Sequence, residues 1–273
     1  MNVLIYKNKS YLAPEGWHDC IPEHWGSLVG FSRLPAEERT AEIIQLACQI
    51  WLMITPQEWD AWELDACQWE ALQACFAWVF IPPTTRPCES FVHQGETYQV
   101  FEENFADTKA LELSVGLMEY MAMVHPDEPD PTAYERILAT LCRPARKDLE
   151  KFRNSDDWDG DIREPYNEAR AADRANKLTS LPGPIKLALF DYFERNVLDF
   201  LRNYDRIFGG SATEEPRYPD GRGWIMLLKN VAKESHFGDF DRVCRQPAHL
   251  VWAAMLDDVL NAEELQNAQN DHE

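Results

Sequence analysis

Val3-Leu-Ile-Tyr-Lys-Asn-Lys-Ser-Tyr11-Leu-Ala-Pro14, near the start, and Ser90-Phe-Val-His-Gln-Gly95-Glu-Thr-Tyr98-Gln-Val-Phe101, near the middle, decide the fold. Each reads as strand, tight turn, strand: β-branched and aromatic residues flank Lys7-Asn-Lys9 in the first and Gln94-Gly95 in the second. The first runs into Trp17 and Trp25, the second into Asn104 and Phe105, and a long helical segment follows each. Two such hairpins describe a duplicated hairpin-plus-helix unit. That is an architectural signal rather than a catalytic one.

The rest of the chain is mostly helical. Thr55-Pro-Gln-Glu58 carries a helix start, with Thr as N-cap, Pro at the first position and Glu at the third. Trp59, Trp62, Ala66, Trp69, Leu72, Phe76 and Val79 then recur at spacings of three and four, predicting one continuous helix with an apolar stripe. Ile81-Pro-Pro-Thr-Thr-Arg-Pro87 ends it as a stiff connector, and His125-Pro-Asp-Glu-Pro-Asp-Pro131 reads as an internal boundary. Glu164 to Leu178 reads as a polar helix, and the segment from Ile185 to Phe208 as a strongly amphipathic one. Loops are expected near 145–162 and 209–223, the last helix from about Pro247 to Leu260, and a frayed tail after it. About eight helices and two hairpins give a mainly α protein with minor β (α+β): a multi-helix bundle in three segments, 1–88, 89–142 and 143–273. No strand-helix alternation suggests a doubly wound sheet.

Composition narrows the function classes. The 273 residues carry 47 acids against 26 bases, a net charge of −21, with 45% hydrophobic residues and 10 Trp. Residues 1–130 hold 21 acids and 6 bases, a net −15, whereas residues 131–273 hold 26 acids and 20 bases, a net −6. The front half is therefore a poor match to a phosphate backbone, which is bound through Lys and Arg, and suits a basic or amphipathic partner better, with solubility alone as the competing reading of the acidity. The seven Cys form no CxxC pair and are odd in number, which reads as reduced thiols in a cytoplasmic protein. The first residues show no signal-peptide pattern, and no apolar run reaches the roughly 18–20 residues of a membrane span.

The search for chemistry returns little. The seven His form no HxxxH, HExxH or zinc-spaced Cys/His pair. His18, Cys20, Glu23 and His24 are the densest ligand cluster, but Trp17, Pro22 and Trp25 crowd the same stretch. Asp157, Asp159 and Asp161 imitate the first ligands of a calcium loop, yet Ile162 stands where that loop needs Gly, so the run reads as a solvated acidic loop. There is no GxSxG, no phosphate-binding Gly-Lys-Ser/Thr and no dinucleotide fingerprint. Arg143, Arg146, Lys147, Lys151, Arg153 and Arg163 are interleaved with Asp148, Glu150, Asp156 and Asp157, which reads as a salt-bridged surface rather than a nucleic-acid footprint. No catalytic residue, cofactor site or metal site is assigned.

Several pieces together resemble tail-assembly proteins of bacterial phages and prophages. They are the opening hairpin with Pro14-Glu-Gly-Trp17, and Arg143-Pro144 after Ile137-Leu-Ala-Thr-Leu-Cys142. Glu164-Pro-Tyr166, the polar helix to Leu178 before Leu181-Pro182, and the helix from Ile185 continue the pattern. It closes with Trp224-Ile-Met-Leu-Leu-Lys-Asn-Val-Ala232, Val243 to Pro247 and Val251-Trp-Ala-Ala-Met-Leu-Asp-Asp-Val-Leu260. The resemblance covers most of the chain and implies a non-enzymatic, chaperone-like protein that coats the helical tape-measure protein, or another tail component, in the host cytoplasm or the virion. The doubled hairpin unit is a departure from short tail chaperones. Two other readings stand beside it: an acidic interaction or DNA-mimic module, and an enzyme whose site short motifs do not reveal. Trp17, Trp25, Trp224 and Trp252 are the candidate protein-binding residues, with core packing as the competing reading for each.

Overall fold

The computed structural model describes residues 1–208, 218, 220–234 and 236–270. Most of the loop expected at 209–223 therefore lies outside the described residues. Among them are twelve α-helices and two small antiparallel sheets, so the chain is mainly α with minor β. It divides into two compact units, one of Met1–Cys88 with Leu181–Phe193 and one of Glu89–Ser180 with Glu194–Glu273.

The first unit opens on the expected hairpin. Strands β1 (Asn2–Tyr6) and β2 (Lys9–Ala13) pair with Val3 opposite Leu12 and Leu4 opposite Tyr11. Lys7 and Asn8 both take positive φ, 46° and 64°, the backbone that matches a two-residue turn to strand twist. Helices α1 (Pro22–Ser32) and α2 (Ala41–Trp51) supply the core residues Trp25, Leu28, Cys48 and Trp51. Trp51 is buried, and its indole N–H donates to Pro14 O at 2.9 Å, so the large apolar ring carries no unsatisfied donor.

The Trp stripe is not one helix. It is α3 (Pro56–Asp60), a break, α4 (Ala66–Phe76) and a 3-10 turn over Ala77–Phe80. Thr55 and Glu58 form the expected capping box, but Asp65 and Gln68 form a second one. That second box starts a new helix in the middle of the periodic run, and the Glu63 N–H in the break donates to the Tyr6 hydroxyl at 2.7 Å. The stripe still packs inward, with the rings of Trp59 and Trp69 5.5 Å apart and Phe76 and Val79 buried.

The second unit holds β3 (Ser90–His93), β4 (Glu96–Gln99) and the two-residue β5 (Arg143–Pro144), in the order β3-β4-β5. Gln94 and Gly95 make the turn with φ of 49° and 78°. Its helices are α5 (Ala110–Met123), α6 (Ala133–Leu141), α7 (Leu149–Arg153), α8 (Glu168–Leu178), α10 (Gly223–Lys233), α11 (Phe240–Arg245) and α12 (Ala248–Asn270). Helix α9 (Gly183–Asn203) contributes to both units. In the first of them Gly26 meets it so closely that a Cβ would stand 1.6 Å from Pro184 O.

Three expectations are corrected in this unit. Helix α8 starts at Glu168 rather than Glu164, because Asn167 caps it by accepting from the Arg170 N–H. The loop at 145–162 contains α7. The stretch after Leu260, expected to fray, continues α12 through Asn270.

Candidate functional site

The chemistry of the second unit concentrates around α5. At its first turn lies a buried ion cluster. Arg143, fully buried, donates to Glu112 Oε1 at 2.9 Å, Asp161 Oδ2 at 3.1 Å, Glu164 O at 2.8 Å and Thr140 O. Arg163, 1% exposed, donates to Asp161 Oδ1 at 2.8 Å, to Leu141 O and to Asp107 O. It also lies 3.1 Å from the Asp107 carboxylate and 3.9 Å from that of Glu112.

This overturns two surface readings. Asp161 is 5% exposed and bridges two guanidinium groups, so it is not part of a solvated loop, and Arg143 and Arg163 are interior. Burial by itself lowers the pKa of Arg163, but Asp107, Asp161 and Glu112 outweigh it and hold the guanidinium protonated. Asp107 is shifted upward by desolvation, against the pull of Arg163. Two cations face three carboxylates, and planar guanidinium forks satisfy the buried carbonyls as well. The cluster therefore fixes α5 relative to the C-terminus of α6, β5 and the 145–163 segment.

Two polar clefts border the cluster. One, of about 520 Å³, is lined by Arg146, Lys147, Glu164, Arg170, Arg174 and Lys177 among others. Glu164 pairs with both Arg170 and Arg174, Arg146 with Asp148 at 3.0 Å, and Lys177 lies 3.7 Å from Glu96. The positive field of this cleft is thus cancelled locally. The other, of about 630 Å³, is walled by Lys109, Phe152, Asp159, Tyr166, Phe240 and Cys244 among others. Lys109 and Asp159 are 2.7 Å apart, and the Arg146 guanidinium lies 3.4 Å from the Phe152 ring centroid. Burial pushes the Tyr166 hydroxyl up to about 12 and the Cys244 thiol up to about 11, so both are neutral, weak nucleophiles near pH 7. Burial likewise raises Cys20 and Cys48 to about 12.

The far end of α5 forms one side of an open apolar groove of about 430 Å³, lined by Met121, Tyr218, Gly221, Trp224, Met226, Leu227 and Asn230. Gly221 makes its floor possible. Its φ is +77°, and a Cβ there would stand 3.1 Å from Met118 O, so a side chain at this entry to α10 would strain the backbone and crowd α5. Met121 is 41% exposed and Trp224, Met226 and Leu227 are half-buried, leaving thioether and indole surface facing solvent. Unbranched, polarizable Met side chains adapt to varied apolar partners.

Of the four tryptophans read as candidate binding residues, Trp224 lines this groove. Trp252, on α12, and Trp25, on α1, are buried core residues. Trp17 is half-buried, 5.1 Å from the Trp25 ring, and donates its N–H to Ile81 O. The His18, Cys20, Glu23 and His24 cluster does not gather as ligands: buried His24 holds Ile50 O at 3.0 Å, and burial lowers its pKa. Sequence reasoning missed Met121, Gly221 and Leu227, whose one signal was the apolar periodicity of α5 and α10.

Among the described residues, no helix is long and apolar enough to cross a membrane. Comparisons with protein-family models, with curated proteins and with solved structures found no match.

Proposed function

We propose that this protein is a non-enzymatic, protein-binding assembly factor of the phage or prophage tail class, acting in the bacterial cytoplasm. It holds an amphipathic helical segment of a tape-measure or other tail protein in the groove between α5 and α10. The groove itself carries the reading: a Met- and Trp-lined channel left open on a chain of net charge −21 fits the apolar face of a basic helix. The sequence pattern described above points to the same class of partner. A second reading, a basic partner on the first unit, is favoured by its exposed acids Glu37, Glu38, Glu42, Asp60, Glu63, Asp65 and Glu70. The test is affinity recovery of tagged protein from phage-producing cells, read by mass spectrometry, beside a Met121→Lys variant. A long helical tail protein recovered with the wild type and depleted with the variant supports the groove. Equal recovery with both moves the interface to the acidic unit, and recovery of host DNA-binding proteins alone overturns the tail assignment.

A further inference from the structure

Glu234, His236 and Asp258 bring one ligand atom each to a common point where α10 ends against α12. His236 Nε2 stands 3.1 Å from Asp258 Oδ2 and 3.6 Å from Glu234 Oε2, and all three ligand atoms lie within 4.8 Å of one another. Around a cation with bonds of about 2.0–2.2 Å, tetrahedral donors stand about 3.3–3.6 Å apart. The two measured edges bracket that spacing. Asp258 Oδ2 is shielded from solvent, although the carboxylate around it is partly exposed, and His236 Nε2 faces it at ion-pair distance. With the imidazole neutral and its Nε2 lone pair turned to that oxygen, neither atom has a donor, and a cation between them satisfies both.

We propose that Glu234, His236 and Asp258 bind a divalent transition cation of the zinc class, clasping the C-terminal end of α10 to α12. One imidazole and two carboxylates favour Zn²⁺, Co²⁺ or Ni²⁺ over Ca²⁺ and Mg²⁺, which take all-oxygen sites. Three protein ligands leave a position for water, so the site holds the metal without closing around it. The site is independent of the groove and of the tail-assembly reading. No short spacing encodes it, because Asp258 lies on α12 whereas Glu234 and His236 follow the end of α10.

The experiment is a titration of the reduced full-length chain with Co²⁺, followed by its visible spectrum and by displacement with Zn²⁺. One equivalent is expected, without the thiolate charge-transfer band that exposed Cys67 or Cys75 would give. Loss of an outer-shell partner already weakens metal sites by about 10–100-fold. His236→Ala and Asp258→Asn, both at partly exposed positions, are therefore each expected to weaken binding by more than about 100-fold while leaving the circular dichroism unchanged. No binding, binding unchanged in both variants, or a thiolate band in place of the nitrogen/oxygen spectrum overturns the proposal.

Discussion

Replacing Arg143 with Met tests the account of the buried ion cluster. The side chain is fully buried, and its loss removes hydrogen bonds to Glu112, Asp161, Glu164 O and Thr140 O. Met fills most of the volume of the arginine stem, so the cavity contribution is small. What remains is electrostatic: three carboxylates, from Asp107, Glu112 and Asp161, facing the one guanidinium of Arg163. Breaking a buried pair by removing one partner costs about 3–5 kcal/mol. Against a typical stability of about 5–15 kcal/mol, that is a large fraction. At about 2–4 °C per kcal/mol for a unit of this size, the melting temperature should fall by about 6–20 °C. The assay is urea unfolding followed by circular dichroism at pH 7. Adding Glu112→Gln to Arg143→Met removes one of the uncompensated charges and should recover part of the loss, with a coupling of about 0.5–3 kcal/mol. A loss below about 1 kcal/mol for Arg143→Met, or a double variant equal to the sum of the singles, would refute the reasoning.

Two other predictions concern stability. Gly26→Ala places a Cβ 1.6 Å from Pro184 O, a backbone atom with no rotamer to escape into, and should cost about 3 kcal/mol or more. A melting temperature equal to that of the wild type would show that α1 and the start of α9 are not in contact. The Arg136 and Thr132 hydrogen bonds hold Asp130 down at about 2, so its contribution is present above the unfolded carboxylate value of about 3.9 and lost as pH falls through about 2. Asp130→Asn should therefore lower stability at pH 6, and the difference should shrink steadily as pH falls toward 2. Because the group is partly exposed, the difference should stay below about 1 kcal/mol. The opposite pH trend would contradict the assignment.

Local signals in the sequence were read well and long-range ones poorly. Both hairpins were legible because their turns and strand alternation are encoded within about a dozen residues, and the Thr55–Glu58 capping box because a cap is local. The break in the Trp helix was missed because an apolar stripe keeps its period across a break, while the Asp65–Gln68 box that restarts the helix is a weaker signal than four aromatics in register. Arg143 and Arg163 read as surface because interleaved acids surround them in the chain. Their burial depends on Glu112, 31 residues before Arg143, and on Asp161 turning inward. The groove was illegible for the same reason: Met121 and Leu227 belong to helices far apart in the chain, and no spacing rule joins them.

The groove is the centre of the functional account, and hydrogen exchange tests it most directly. Amide exchange would be compared between the free protein and its complex with the recovered tail protein. The account predicts added protection concentrated at the C-terminal end of α5, residues 118–123, and along α10, residues 223–230. Protection confined to the first hairpin or to the exposed acids of the first unit, with α5 and α10 unchanged, would contradict it.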